Sequence, residues 1–331
     1  MIDIRPTTPT QTSPHVMQCM EVWGGNQTFD SSLVLSGLDM WVFSRPYGQS
    51  STGGDVYYVS SCATGRITRL LVADVAGHGA SVHELAIALR TLMRRYVNYI
   101  DQSKFVQAMN EKFVELSLLG NFATAVAMTY FGPTRRMSIS NAGHPPPLVY
   151  RLSEQRWTYL EHHRHEDDRT PANLPLGIIN LSDYDQFNAE LEVGDCVLSY
   201  TDSLPESCDA AGEMLFQKGL LQVMNEIPIG DPSTFIARLL EKLQSLCDGN
   251  LLADDVTVLL CRANGTAAAT PLLERLKAPW RVARGVLRSW RDKSEPAPWP
   301  EASVANIGGM LLPALNRVTP ASGFPEVTNA K

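Results

Sequence analysis

Short runs of β-branched and aromatic residues in the first third of the chain are followed by longer stretches in which apolar residues recur every three or four positions. The short runs are typical of strands and comprise residues 41–47, 56–62 and 67–75. The longer stretches, 81–100 and 103–118, have apolar side chains at helical spacing. This part of the chain is therefore predicted to form three strands and then a pair of amphipathic helices.

The same order of elements returns in the rest of the chain. Strands are predicted at 122–131, 135–142, 147–152, 186–195, 196–202 and 255–262, and helices at 213–226 and 232–247. Because strands and helix pairs come in separate blocks, the pattern predicts an α+β fold. In this fold the helix pairs cover a stack of antiparallel sheets.

Changes in composition divide the chain into three parts. Residues 1–16 are rich in Thr, Pro and Ser, which is typical of disorder, and we assign 1–34 to a partly disordered N-terminal extension. The strand and helix patterns fill residues 35–262, which form the predicted folded domain. A small-residue linker begins at 263, and residues 263–331 also contain a basic amphipathic segment and a Pro/Ala/Gly-rich tail.

Charge and cysteine usage exclude several classes of protein. The formal net charge of −7 argues against wholesale binding to nucleic acid. The six cysteines are scattered without a CxxC pair, which fits a reducing cytosol better than a disulfide scaffold or a zinc knuckle. The N-terminus lacks the apolar core of a signal peptide, and no run reaches the ~18 apolar residues of a membrane span. We therefore predict a cytoplasmic protein.

Four aspartates fall at predicted strand edges beside glycines or small residues: Asp55 in GGD, Asp74 in LLVAD, Asp202 in SYTD and Asp254 in ADD, with Asp255 next to it. The free-energy cost of burying several carboxylates together is prohibitive unless a cation compensates their charge. Oxygen ligands without a companion His or Cys favour Mg²⁺ or Mn²⁺ over zinc. Any one of these aspartates also fits a turn or capping role, and the spacing alone does not show that they converge.

Six motifs carry a resemblance to a known family: GGD (53–55), ADVAGHG (73–79), NAGHPPPL (141–148), LPLGI (174–178), YTDSLPE (200–206) and ADDVTVLL (253–260). They occur in the order found in SpoIIE-type phosphatases, members of the PPM metal-dependent serine/threonine protein phosphatases. The resemblance covers about residues 35–262. It implies a central β-sandwich flanked by helices, with two Mn²⁺ or Mg²⁺ ions at one end.

The resemblance also implies roles for single residues. Asp74 resembles the carboxylate that bridges both metals, and the backbone carbonyl of Val75 resembles an additional ligand. Asp202 and Asp254 resemble the ligands that complete one metal's shell, and Asp55 resembles the ligand of the other. Each metal would lower the pKa of a shared water, so that hydroxide attacks phosphorus directly.

Three histidine-containing segments are interpreted from their local sequence. His78 lies in the glycine turn after Asp74, where it could protonate the leaving serine oxygen or simply bind the backbone. His144, between a strand and a proline-fixed turn, is interpreted as a loop residue. The histidine-rich stretch 162–165 is interpreted as a polar loop instead of a metal tract.

Two departures from the family pattern keep a second function open. Tyr58 occupies a position where the family often has an acidic residue, and Ser203 stands where glycine is usual. If that glycine serves a turn with positive φ, serine would strain it. The leading hypothesis is hydrolysis of phosphoserine or phosphothreonine, by resemblance on a phosphorylated STAS-type anti-sigma-factor antagonist. The alternative is a weakly active or inactive scaffold that binds phosphoproteins.

Residues 280–291 form a further predicted helix in the tail. Trp280 and Trp290 share one face, and four arginines line the other. Three interpretations fit this pattern: a helix that packs back on the domain, a peripheral anchor on a membrane surface, and a segment that binds a partner protein. The sequence does not decide among them.

Overall fold

A computed structural model describes residues 14–266, with gaps at 18–20, 49, 62–64, 78–79, 97–98, 100, 118–120, 162–171 and 181–182. The predictions for His78, for the stretch 162–165 and for the tail segment 280–291 therefore lie outside the described residues.

Within the described residues the chain forms thirteen strands. They are β1 (His15–Val16), β2 (Val22–Gly25), β3 (Phe29–Leu35), β4 (Leu38–Arg45), β5 (Asp55–Ser61), β6 (Ile67–Val75), β7 (Ala123–Phe131), β8 (Arg136–Ala142), β9 (Leu148–Arg151), β10 (Arg156–Tyr159), β11 (Phe187–Glu190), β12 (Cys196–Tyr200) and β13 (Val256–Ala263). One sheet has the order β1-β3-β4-β13-β12-β9-β10, and the other has the order β11-β8-β7-β6-β5-β2. Neighbouring strands are antiparallel except for the short parallel pair β1–β3.

Four helices of the described chain cover the two sheets: α1 (Ala80–Tyr96), α2 (Gln102–Leu116), α3 (Phe216–Glu226) and α4 (Phe235–Leu246). The first pair packs on the sheet that contains β5 and β6, and the second pair packs on the other sheet. The predicted α+β sandwich of antiparallel sheets flanked by helix pairs is confirmed.

The sandwich has three apolar layers, which explains why its central strands are hydrophobic on both faces. On β5, Tyr57 and Val59 point into the core between the two sheets. Val56 and Tyr58 alternate with them and point into the core beneath α1 and α2. A third core lies between the other sheet and the helix pair α3–α4.

Several segments differ from the sequence-based prediction; for example, strand β10 was not predicted, and the strand predicted at 186–195 covers only Phe187–Glu190 as β11. The structure places β1, β2 and β3 within residues 15–35, most of which had been assigned to the N-terminal extension. Strand β1 has only two residues, and β2 and β3 contain Gly, Ser or Asp, so these strands lack a strong strand pattern. The helix predicted at 232–247 begins as α4 only at Phe235, because Pro232–Thr234 form a 3₁₀ turn that Asp231 caps.

Among the residues that the structure describes, no helix is both long and apolar enough to cross a membrane.

Candidate metal centre

Asp55 and Asp74 lie side by side at one end of the sandwich. Asp55 is the first residue of β5, and the antiparallel register pairs it directly with Asp74 near the end of β6. On the other side of β6, the antiparallel pairing with β7 places Thr124 opposite Asp74. The two strand-edge carboxylates, nineteen positions apart in sequence, are thus neighbours because the two strands form one hairpin.

Asp202 and Asp254 reach the same end from the other sheet. Asp202 follows the last residue of β12 by two positions, and Asp254 precedes the paired strand β13 by two. Thr201, directly before Asp202, donates its hydroxyl to Asp55 Oδ2 at 2.8 Å, and this bond links the two sheets. The four predicted ligand carboxylates therefore face one region where the ends of four central strands meet.

Crowding of negative charge is visible in the pKa values of these groups. Burial and then the nearby Asp202 and Asp254 raise the pKa of Asp74 to about 7. Burial, Glu206 and Asp254 raise the pKa of Asp202 to about 6. The pKa of fully buried Asp55 is raised well above its usual range by burial and by Asp74, against the effect of its bond from Thr201. Such a cluster favours a bound cation.

Asp255 has a role that the sequence analysis did not assign. Its carboxylate accepts hydrogen bonds from the backbone amides of Tyr47 (2.6 Å), Gly54 (2.6 Å) and Asp55 (3.2 Å). A Cβ on Gly53 would lie 2.2 Å from Asp255 Oδ2, so only glycine fits there. Asp255 therefore holds the GGD turn in place, whereas its neighbour Asp254 stays exposed at the edge of the centre.

The Val75 carbonyl lies against the same turn. A Cβ on Gly54 would stand 2.8 Å from Val75 O and 3.5 Å from Asp74 Oδ1. The backbone amide of Val75 in turn donates to Gly54 O at 3.3 Å. Glycine at 54 thus lets the turn approach both predicted oxygen ligands of the Asp74 segment.

Asn26 and Glu206 also belong to this region, and sequence reasoning missed both. Asn26 accepts a bond from Gly53 N and donates its side-chain amide to Gly53 O, while the same amide lies 3.2 Å from His83 Nδ1 on α1. Glu206 is exposed and raises the pKa of both Asp74 and Asp202. Glu206 could have been identified from the sequence because it belongs to the motif YTDSLPE. No motif in the sequence pointed to Asn26.

Neither Tyr58 nor Ser203, the two departures from the family pattern, disturbs the candidate metal centre in the way the sequence suggested. Ser203 is not among the described residues with positive φ, so the strain considered for it does not arise. Tyr58 is fully buried beneath the helices α1 and α2, on the face of β5 opposite to Asp55. A side chain three positions after Asp55 points away from the carboxylates because side chains alternate along a strand.

His144 and Asp195 both serve local structure. His144 is buried, its Nδ1 lies 2.8 Å from Thr124 Oγ1, and its backbone exchanges two hydrogen bonds with the Asn141 side chain. Burial lowers the pKa of His144 to about 3, so it is neutral and suited to shaping the loop. Asp195 accepts the amides of Leu152 and Glu192 in its hairpin.

The donor set fits hard divalent cations, although the side chains are not yet arranged as a complete coordination shell. The carboxylates and the Val75 carbonyl are all oxygen ligands of the kind that Mg²⁺ and Mn²⁺ prefer. Among the described residues, no three His, Cys, Asp or Glu side chains stand together as a ready metal-binding group. Formation of a coordination shell would therefore require the side chains of Asp74, Asp202 and Asp254 to come closer together.

The raised pKa values predict how stability depends on pH in the metal-free protein. An unfolded Asp has a pKa of about 3.9, whereas Asp74 and Asp202 have folded-state pKa values of about 7 and about 6. Their contribution to stability is therefore full below pH ~4 and is lost as the pH rises to ~7. We expect the melting temperature of Asp74→Asn/Asp202→Asn, measured in chelator, to gain on wild type as pH rises through this window. A constant difference between the two proteins would contradict this assignment.

The architecture is that of the metal-dependent protein phosphatases. The phosphatase domain of SpoIIE from Bacillus subtilis, solved with a fragment of its regulatory domain, superposes with a TM-score of 0.57 at 18% identity, covering 73% of this chain and 70% of that one. The RsbU and RsbW domains of Rv1364c from Mycobacterium tuberculosis give a TM-score of 0.57 at 24% identity, covering 80% and 70%. RsbX solved with magnesium gives 0.52 at 15% identity, covering 71% and 99%.

The sequence itself defines the family. Residues 64–264, more than half of the chain, match the family described as Stage II sporulation protein E (SpoIIE). The chain therefore belongs to this family of protein serine/threonine phosphatases, and the predicted family membership is confirmed. It is also 24% identical over 229 residues to the phosphoserine phosphatase RsbU of Bacillus subtilis (strain 168). That match covers 68% of this chain and 63% of the relative's length.

Proposed function

We propose that this chain hydrolyses phosphoserine or phosphothreonine on a protein, with two Mn²⁺ or Mg²⁺ ions held by its aspartate cluster. This proposal rests mainly on one observation: carboxylates with raised pKa values converge at one end of the sandwich. The proposed ligands are the side chains of Asp55, Asp74, Asp202 and Asp254 and the backbone carbonyl of Val75.

The chain's own groups divide the chemical work. Bound divalent metal ions would supply a nucleophile from water near neutral pH and would offset the phosphoryl charge. Asp74 pairs with Asp55 across the hairpin, and Asp202 and Asp254 are near enough to raise its pKa, which supports the proposed bridging role. Asp55 is held by Thr201, and the GGD turn is held by Asp255. Protonation of the leaving serine oxygen by His78 remains a prediction.

The surroundings of the centre suit a protein substrate. Exposed apolar side chains occur on the segments next to the aspartates: Tyr47, Met214, Phe216 and Leu252. Tyr47 donates its amide to Asp255, and the amide of Phe216 donates to Pro205 O, close to Asp202. We propose that these apolar side chains contact the protein part of the substrate.

Two observations narrow the range of candidate substrates. The Bacillus relative is named a phosphoserine phosphatase, which favours phosphoserine. The resemblance to SpoIIE-type phosphatases favours a phosphorylated STAS-domain protein that antagonises an anti-sigma factor, and hence a role in sigma-factor regulation. Free thiols at Cys196, Cys208, Cys247 and Cys261 support the proposed cytoplasmic location.

The direct test is hydrolysis of a phosphoserine STAS-domain protein by the full chain. We expect phosphate release with Mn²⁺ or Mg²⁺ and none in chelator. A generic phosphoserine peptide serves as the control for substrate choice: slower release from the peptide supports a STAS partner, and equal rates contradict it. Equal release from the phosphoprotein with metal and with chelator would overturn the metal-dependent mechanism.

One observation favours the alternative of a non-catalytic phosphoprotein-binding scaffold, namely that the described side chains do not form a ready metal-ligand group. Titration calorimetry with Mn²⁺ distinguishes the two functions. The phosphatase is expected to bind metal with saturable heat that Asp74→Asn removes. A scaffold would bind the phosphoprotein tightly but give no saturable heat with Mn²⁺.

The role of residues 280–291 remains a proposal that truncation can test. Strand β13 ends at Ala263, and Thr266 still bonds Gly37, so a chain that ends after Thr266 keeps every described contact. We expect this truncated chain to retain its melting temperature and its activity on a small phosphoester. Loss of sedimentation with anionic vesicles would support a membrane-surface anchor, whereas a large drop in melting temperature would show that the tail packs on the domain.

A further inference from the structure

A pocket lies at the end of the sandwich opposite to the aspartates. It has a volume of about 390 Å³ and lies among the turns that join the strands there, including Gly37, Gly132 and Gly265. Strand β6 runs from this end to the aspartates, and seven residue steps along it span roughly 23 Å. The pocket is therefore separate from the candidate metal centre.

The pocket presents two arginines that form no ion pair with a described carboxylate and a hydroxyl that has no described hydrogen-bond partner. Arg66 and Arg135 both line it, and neither forms an ion pair with a described carboxylate. The third donor is the hydroxyl of Tyr130, whose ring is 1% exposed and whose oxygen is buried without a hydrogen-bond partner in the described structure. The adjacent sequence segments 62–64 and 267–269 contain no acidic residue.

Several acceptors of the same turns already have donors. The carbonyl of Arg66 accepts the amide of Gly132, and the carbonyl of Gly132 accepts the amide of Arg135. The hydroxyl of Thr266 donates to Asn264 Oδ1 while it accepts the amide of Gly37. The described residues of the lining thus offer two guanidinium groups and a buried hydroxyl, and none of them is a carboxylate.

Arg135 occupies a backbone conformation that a side chain disfavours. Its φ is +52°, in the left-handed region where glycine or asparagine is usual, at the last position of the turn between β7 and β8. Its Nε donates to Leu191 O at 3.2 Å, which orients the guanidinium group but leaves its terminal nitrogens available to a ligand. An arginine at this strained position is consistent with a functional role for its positive charge, such as binding an anion.

We propose that this pocket binds a small organic anion, with a phosphoryl group held by Arg66, Arg135 and the Tyr130 hydroxyl. Two guanidinium groups neutralise a dianion, and their paired N–H groups match the oxygens of a phosphoryl group. The aromatic ring of Tyr130 and the side chains of Phe131 and Pro133 offer an apolar wall for the rest of the ligand. The volume falls within the usual range for small-molecule sites.

The test is a titration of the isotope-labelled full chain with phenylphosphonate, followed by amide NMR. Chelator is present throughout, so that metal-dependent binding at the aspartates does not contribute. We expect saturable shifts at the amides of Gly37, Gly132 and Gly265, and none with benzyl alcohol, which has the ring without the charge. The site fails if the glycine amides do not shift or if the shifts occur around Asp74.

Single substitutions separate a binding role from a structural one. Arg135→Gly relieves the left-handed strain, so it should fold normally while it weakens phenylphosphonate binding by about tenfold or more. Arg66→Gln should weaken binding similarly. Arg156→Gln, which removes the same charge from an exposed position on β10, is the matched control and should bind as wild type does. Equal affinity in all three variants would overturn the proposal.

Discussion

Asp74→Asn is expected to lower kcat/KM for a phosphoserine substrate more than about 100-fold while it raises the melting temperature of the metal-free protein. Changes to groups that merely support a metal ligand reduce metal affinity or activity about 10–100-fold, so loss of the central ligand should exceed that range. Stability should move the other way because asparagine removes a carboxylate whose pKa is raised to about 7 by burial and by Asp202 and Asp254. Activity with Mn²⁺ and melting in chelator, both at pH 7.5, measure the two effects.

The opposite signs make this substitution informative. An inactive variant that is also more stable cannot have lost activity by unfolding. Asp39→Asn is the matched control, because Asp39 pairs with Arg262 at the opposite end of the sandwich. We expect it to retain activity and to lose a little stability. Retention of more than about a tenth of the wild-type activity by Asp74→Asn would exclude Asp74 as the bridging ligand.

The central strands and the helices could be predicted because each is long enough to show a period. The buried runs of β6 and β7 and the helical spacing in α1 and α2 all appear in the sequence, and the predicted bounds agree within a few residues. The short strand β2 could not be found because two of its four residues are glycines. Its strand character comes from pairing with β5, which is a contact between distant parts of the chain.

The order of strands within each sheet also cannot be predicted from the periodicity of apolar residues. Strand β13 inserts between β4 and β12, so that the hydroxyls of Ser44 and Thr257, 213 positions apart, come within 3.0 Å. Nothing in the local sequence of either strand specifies this neighbour. The family resemblance supplied the sandwich architecture, and only the structure shows which side chains the pairing brings together.

For the candidate site, residue type and strand-edge position were enough to single out four aspartates, but not to separate the roles of adjacent ones. Asp254 and Asp255 are chemically identical in the sequence. The backbone turns between them, so that Asp254 remains exposed while Asp255 is 8% exposed and faces three backbone amides. Roles of this kind depend on which backbone groups lie opposite, and these come from segments about 200 positions away.

That difference leads to an expected result with Asp255→Ala, which should destabilise the protein by about 3 kcal/mol or more. Each buried amide that loses its acceptor costs about 1–3 kcal/mol, and the amides of Tyr47, Gly54 and Asp55 all donate to this carboxylate. Removal of its negative charge also relieves repulsion with Asp55 and Asp74, which offsets part of the loss. For a domain of this size the net effect corresponds to a fall of roughly 6–12 °C in melting temperature.

The neighbouring substitution Asp254→Ala provides the comparison, since it removes the same group one residue earlier. It loses only the bond from the Asp255 amide, so its melting temperature should stay close to that of wild type. Both variants should lose phosphatase activity, Asp254→Ala because a proposed ligand is missing and Asp255→Ala because the GGD turn that positions Asp55 is released. Gly53→Ala should reproduce the unstable phenotype, because its Cβ would displace the Asp255 carboxylate. Equal melting temperatures for the Asp254 and Asp255 variants would show that Asp255 does not hold the turn.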